Sequence, residues 1–228
     1  MLPTAGLSRS AVPKLDRPGP LRQRVYDTLL ELIVTRTLPP GAHLVETELA
    51  GELGVSRQPV REALQRLNTE GWVDLRPAQG AFVHEPTEQE ADQLLGVRSL
   101  LEAEAVRLAA ARVDAQAVAV LEELCAAGER AVAVDDVDGP EGVVVLNARL
   151  HGMIRELAGN SVLIDLSAQV DRRVRWYYTP VARQRGKRSW LEHRELIAAL
   201  AAGDAERAAS VMHAHTEHTR RSYHERER

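Results

Sequence analysis

Residues 45–83, VETELAGELGVSRQPVREALQRLNTEGWVDLRPAQGAFV, decide how the rest of the chain is read. Leu49, Ala50 and Leu53 fall at helical spacing. After Gly54 and Val55 a second apolar stripe, Val60, Ala63, Leu64 and Leu67, repeats at i, i+3, i+4 and i+7. The pattern predicts two short helices joined by a tight turn. Ser56 stands where an N-cap is wanted, and Pro59 lies in the first turn, where a missing N–H removes no intrahelical bond. Arg57, Gln58, Arg61 and Gln65 share the other side of the second helix. Arg can donate two bonds to guanine O6 and N7, Gln can pair with adenine N6 and N7, and a further Arg can hold a phosphate, so this face suits a major groove. Beyond Gly71, Trp72–Arg76 and Ala81–His84 are β-prone stretches around Pro77–Gly80, which predicts a hairpin, or wing. Two arginines and two glutamines also suit a plain solvated helix face; the helix-turn-helix spacing and the wing favour DNA.

These residues carry a resemblance. The run LPPGAHLVETELAGELGVSRQPVREALQRLNTEGWV resembles the winged helix-turn-helix of the GntR family of bacterial repressors in its PPG turn, its LA pair, its VSR-x-PVREAL core and the EG before the wing. The resemblance implies that Arg57, Gln58, Arg61 and the wing-tip Gly80 contact double-stranded DNA. Thr47 departs from the pattern, standing where many members have an arginine that reaches the DNA, and Gln58 replaces a frequent threonine. Both bear on which operator is read.

At 228 residues and 44% hydrophobic content the chain is long enough for two domains with sizeable cores. Its one cysteine, Cys125, excludes an internal disulfide framework and reads as core filler in an apolar helical stretch. No apolar run approaches the ~18 residues of a membrane span, and the N-terminus lacks the apolar core of a signal peptide, so a cytoplasmic protein without a membrane partner is expected. The net charge of −4 does not advertise nucleic-acid binding, and the first 85 residues hold about as many acids as bases. Specificity then falls to a few placed arginines, with modest non-specific affinity.

Residues 1–20, rich in Pro, Gly, Ser and Arg, read as a flexible arm. Val25, Leu29, Leu32 and Ile33 predict an amphipathic helix over 21–37, ended by Leu38-Pro39-Pro40-Gly41. The DNA-binding domain is thus placed at 21–85. Thr87 is a plausible N-cap for the next helix, and residues 86–228 read as helix throughout. Helices are expected over 94–108, 117–134, 143–157, 162–178, 187–202 and 204–223, with breaks at Gly139–Gly142, Gly159-Asn160 and Gly203-Asp204. The fold class is mainly α: an N-terminal winged helix-turn-helix and a C-terminal all-α antiparallel helical bundle.

Asn147 and His151, at i and i+4, share a face of the third bundle helix, while His193 and His215 fall on the fifth and sixth. Bundles build metal sites by pointing such side chains inward, although an i, i+4 polar pair also arises by chance. The segments VRSLLEAEAVRLAA, LNARLHGMIRELAGN, WLEHRELIAALAAGD and ASVMHAHTEH are similar to the effector domain of the FadR subgroup of GntR regulators, the FCD type. That similarity implies a divalent metal held by Asn147, His151, His193 and His215, with an effector carboxylate completing its coordination. Asn147 replaces the usual Asp and brings no charge; three imidazoles favour zinc or nickel. Arg98 matches a family position that implies a grip on the effector carboxylate, against which stands an ion pair with Glu102 one turn on. His213, His218 and His224 read as surface, and Trp176, Tyr177 and Tyr178 as pocket wall or core. The expected function is a ligand-responsive transcriptional regulator, a repressor acting as a homodimer on a pseudo-palindromic operator and answering to a small organic acid. A metal sensor is the alternative. An enzyme is not expected, since there is no HExxH and no obvious general base beside the histidines.

Overall fold

The computed structural model describes residues 20–136 and 142–225, so the expected N-terminal arm and most of the Gly139–Gly142 break lie outside the described residues. The described residues up to Glu31 join Gly41–His84 in one compact unit, and Leu32–Pro40 join those from Glu85 onward in a second.

In the first unit, α1 (Pro20–Val34) buries Val25, Tyr26, Leu29 and Leu30 and stops three residues short of the expected end. Next come α2 (Glu46–Leu53) and α3 (Arg57–Thr69). Gly54 ends α2 in the left-handed region (φ 63°), where a side chain would be strained, and so makes the tight turn possible. The expected stripe of α3 is the buried one: Val60, Ala63, Leu64 and Leu67, with Pro59 beside them. Ser56 occupies the N-cap position in an extended conformation, but its side chain makes no capping bond. The wing strands are β2 (Val73–Arg76) and β3 (Gly80–Val83), and β3 also pairs with β1 (His43–Leu44) in a sheet of order β1-β3-β2, antiparallel throughout. A two-residue strand shows no alternation, which is why β1 left no signal in the sequence. Asn68 Nδ2 donates to Val73 O at 2.7 Å, tying the end of α3 to the wing.

The second unit is helical, and no strand occurs among its described residues. Its elements are α4 (Glu88–Ala109), α5 (Ala115–Ala133), α6 (Val143–Ala158), α7 (Ser161–Tyr178), a 3₁₀ turn (Thr179–Val181), α8 (Ala182–Ala201) and α9 (Ala205–Glu225). Caps set most boundaries. Thr87 forms a complete capping box with Glu90, Asp114 accepts from Ala117 N, Asn160 accepts from Leu163 N, and Asp204 accepts from Arg207 N. Helix α8 begins earlier than the sequence suggests because Ala182–Arg185 adds a turn before a kink at Gly186 (φ 14°, ψ −114°). Leu121, Leu146, Leu150, Ile154, Trp190, Leu196, Leu200 and Met212 form the centre of the core, with Cys125 among them. Helix α4 packs on α9, α6 and α7, and α8 packs on α9 and α5. The inner faces of α6, α8 and α9, which carry the histidines, therefore meet inside the bundle.

Candidate functional sites

The exposed side of α3 and the wing border an open groove of about 610 Å³. Thr47, Arg57, Arg61 and Gly80 all line it, as do Gln65 and Arg76. Gln58 does not; its Nε2 turns along the helix and donates to Glu62 Oε1 at 2.8 Å. Glu46, the first residue of α2, reaches into the same groove. Arg61 donates Nε to Glu46 Oε1 at 3.0 Å and Nη2 to Oε2 at 2.9 Å, and Arg57 Nη2 donates to Oε2 at 3.2 Å. The bond from Arg61, with help from Arg57 and against some burial, holds the Glu46 carboxyl below its ordinary range. On the wing, His43 stacks on Phe82 with ring centroids 4.7 Å apart, and the Arg76 guanidinium sits 4.2 Å from the centre of that ring. A Cβ at Gly80 would fall 2.9 Å from His43 Nε2 on a backbone with φ 104°, so the wing tip requires glycine.

In the bundle, His151 from α6, His193 from α8 and His215 from α9 converge. One ring nitrogen from each lies within 4.8 Å of the others, and every ring is buried. The Nε2 atoms of His151 and His193 are 3.3 Å apart. Two imidazoles on one tetrahedral ion, with bonds of about 2.05 Å, place their nitrogens roughly 3.3 Å apart. The other face of the cluster is carboxylate. His215 Nδ1 donates to Glu192 Oε2 at 2.9 Å, while His151 Nδ1 lies 3.1 Å from Glu102 Oε2, off the line of a good hydrogen bond. Carboxylates on the Nδ1 side favour the tautomer that leaves Nε2 with its lone pair. Burial pushes all three imidazoles down, His215 to about 3, so that they are neutral and able to ligate. One turn before His151, Asn147 is 5% exposed and its Oδ1 has no hydrogen-bond partner. A buried, unsatisfied amide oxygen beside three imidazoles is the donor set a divalent ion would satisfy.

Against this cluster lies a cavity of about 130 Å³, with Asn147, His151, Arg98, Arg155 and Tyr178 in its wall. Arg98 is 4% exposed, yet its Nε and Nη1 have no hydrogen-bond partner. The ion pair with Glu102 exists but is loose, at 3.7 Å. Arg155 holds Glu102 more closely, its Nη1 donating to Oε1 at 2.9 Å, and also bonds Asp171. Burial works against the charge of Glu102, but the contact with the His151 ring and, above all, the permanent charges of Arg155 and Arg98 hold the carboxyl below its ordinary range.

Residues 93–218 match the FCD domain, and residues 21–83 match the family described as bacterial regulatory proteins, gntR family. The chain belongs to the GntR family and carries an FCD domain. Similar proteins are regulators of the same kind. The HTH-type transcriptional regulator YdhC of Bacillus subtilis (strain 168) is 29% identical over 160 residues, 69% of this chain and 70% of the relative. The Nta operon transcriptional regulator of Aminobacter aminovorans is 32% identical over 137 residues, 60% of this chain and 63% of its own length. Among solved structures, E. coli McbR/YncC superposes with a TM-score of 0.74 at 25% identity, covering 91% of this chain and 98% of that one. A GntR transcriptional regulator from Rhodococcus sp. RHA1 gives 0.76 at 26% identity, covering 92% and 100%. These are transcriptional regulators and not enzymes, and none of the described helices of this GntR protein is long and apolar enough to cross a membrane.

Within this GntR/FCD chain, sequence reasoning missed Glu46, His43, Glu192 and Arg155. Glu192 left the clearest trace, since it immediately precedes His193. The surface reading of His218 is corrected: it is half-buried and its Nδ1 lies 2.7 Å from Glu192 Oε1, in the network behind His215. His213 and His224 are exposed, His213 within 2.9 Å of Ser99 Oγ and His224 beside Glu88 and Asp92. Tyr178 lines the cavity, whereas Tyr177 belongs to the core and Trp176 is buried outside the cavity wall.

Proposed function

We propose that this GntR/FCD protein is a dimeric, ligand-responsive repressor whose DNA grip is set by a small organic acid bound beside a divalent metal. The observation that supports this reading most directly is the pairing of buried, unsatisfied groups in one cavity: the Asn147 amide oxygen and the Arg98 guanidinium, next to three converging imidazoles. Asn147, His151, His193 and His215 are the ligands for the metal, with zinc or nickel favoured by three nitrogen donors. A bound divalent ion supplies a Lewis-acidic position for one carboxylate oxygen. Arg98 offers its unpartnered Nη1 to the same carboxylate while its Nε faces Glu102, and Tyr178 closes the wall. The cavity of about 130 Å³ suits a small acid.

On the DNA side, Arg57, Arg61, Thr47 and Gly80 face the operator from the groove, and Gln58 joins them by leaving Glu62. Two copies associating through their helical units present two recognition helices to a pseudo-palindromic site. The acid releases DNA by binding one arrangement of the protein more tightly than the other. Elemental analysis of protein purified without chelator is expected to find about one divalent ion per chain, and His193→Ala to lose it. Organic acids are then expected to weaken binding to a duplex that the wild-type protein selects from a random pool. Metal-free wild-type protein sinks the metal assignment. Affinity that no small acid alters sinks the effector. Control of DNA binding by metal and chelator alone favours a metal sensor.

A further inference from the structure

Glu46 is an acid on a face that meets a polyanion, and electrostatics alone argue against placing it there. Its position is specific. One carboxylate accepts four hydrogen bonds from Arg57 and Arg61 of α3, at 2.9 to 3.3 Å, and its side chain is 28% exposed against 58% for Arg57 and 48% for Arg61. It is recessed between them. Arg61 spends Nε and one N–H of Nη2 on Glu46 and keeps Nη1 and the second Nη2 hydrogen; Arg57 spends a single N–H.

We propose that Glu46 is a specificity-determining residue: it keeps Arg57 and Arg61 from binding phosphate indiscriminately and aims the free edge of each guanidinium at a base pair. A phosphate accepts from any donor in many orientations, so an unrestrained arginine on this face adds sequence-independent affinity. A guanidinium already held by Glu46 gains less from a phosphate, because its charge is neutralised and a carboxylate is carried toward the DNA backbone. Guanine differs in kind. Its O6 and N7 accept two bonds from a planar fork of fixed orientation, which rewards an arginine that arrives already oriented. Glu46 therefore lowers affinity for every sequence and lowers it least for the matching one. Thr47, next to it, adds no cation to offset this carboxylate, so Glu46 has a larger share in the balance of the groove.

The inference rests on the reading that Arg57 and Arg61 touch DNA, and the test separates the two. Full-length wild type, Glu46→Gln, Glu48→Gln and Arg61→Ala are titrated by fluorescence anisotropy against two duplexes. One is selected by the wild-type protein from a random pool and the other is its shuffled sequence, both measured between about 50 and 200 mM salt. Glu46→Gln is expected to bind the shuffled duplex about three- to thirtyfold more tightly, with a salt slope steeper by roughly one to two. The ratio of selected to shuffled affinity is expected to fall at least about tenfold. Glu48→Gln makes the same change in net charge at an exposed position of α2 outside the groove, and it is expected to keep the ratio within about twofold. A purely structural role for Glu46, as a first-turn acid favouring α2, would appear in thermal unfolding and leave the ratio alone. If Glu46→Gln shifts both duplexes equally, the inference fails while the recognition face stands, provided that Arg61→Ala abolishes the preference. If Arg61→Ala binds the selected duplex like wild type, the recognition face itself is wrong and the inference falls with it.

Discussion

At the scale of single residues, the tightest constraint in the helical unit is a glycine that no pattern marks. Gly128 is buried on α5, and a Cβ there would lie 2.1 Å from Cζ2 of Trp190, which is fully buried on α8. The two helices approach this closely only because residue 128 has no side chain. In a free helix, alanine is favoured over glycine by about 1 kcal/mol. Here the added methyl must displace an indole that has nowhere to go, and overpacking of that kind costs about 1–3 kcal/mol. With a Cβ only 2.1 Å from the indole the cost lies at the top of that range, so after the helix gain Gly128→Ala is expected to destabilise by about 2 kcal/mol, seen as a lower urea midpoint at unchanged slope; a midpoint at or above wild type would show that α5 and α8 separate freely. One turn earlier, Cys125 is pushed up to about 11 by burial, with the Glu129 charge adding to the shift, which suits core filler and not a nucleophile.

Among the helices, two N-cap positions that look alike in sequence behave differently. Thr87 accepts from Glu90 N at 3.2 Å while Thr87 N donates to Glu90 Oε2 at 2.7 Å, so two orphan donors at the start of α4 are satisfied. Ser56 stands at the same position of α3 with no side-chain bond. Thr87→Ala is expected to cost ~0.5–2 kcal/mol and Ser56→Ala only a few tenths, read from paired thermal unfolding curves. Equal losses would mean that residue type and not the bond sets the cost. Both starts were legible because an N-cap is a local signal. The cap residue alone does not say whether the bond forms: three residues after Ser56 stands Pro59, which has no N–H for the hydroxyl to accept from. The kink at Gly186 was equally silent: glycine permits a non-helical residue inside α8 without announcing it.

For the whole molecule, assembly is read from what the helical unit leaves uncovered. Helices α4 and α7 pack together, and on them Leu100 is 72% exposed and Val162 66%, with Val97 and Leu166 at 47%. Leucine and valine held in water on adjacent helices offer an apolar face that a second copy would cover. If this face is the seam of the proposed dimer, Leu100→Asp is expected to sediment as monomer in analytical ultracentrifugation where wild type sediments as dimer, and to bind DNA more weakly, because two half-sites are no longer engaged together. A variant that sediments as wild type would place the interface elsewhere.

The sequence by itself determined that the chain holds a winged helix-turn-helix and then a run of helices, which side of α3 is buried, and where most helices begin and stop. Each of those rests on a period or a cap within a few residues, and backbone geometry turns such patterns into structure directly. Tertiary packing alone decided what the side chains meet. His151 and His193 are 42 residues apart and their nitrogens are 3.3 Å apart; Glu46 reaches Arg61 across 15 residues, and Gly128 meets Trp190 across two helices. No repeat relates such positions, because the contact depends on how separate helices pack and not on the register within one. The same reason explains why Gln58, on the correct face by period, turned to Glu62 instead of the groove, and why Glu46, which no motif singled out, sits between the two arginines.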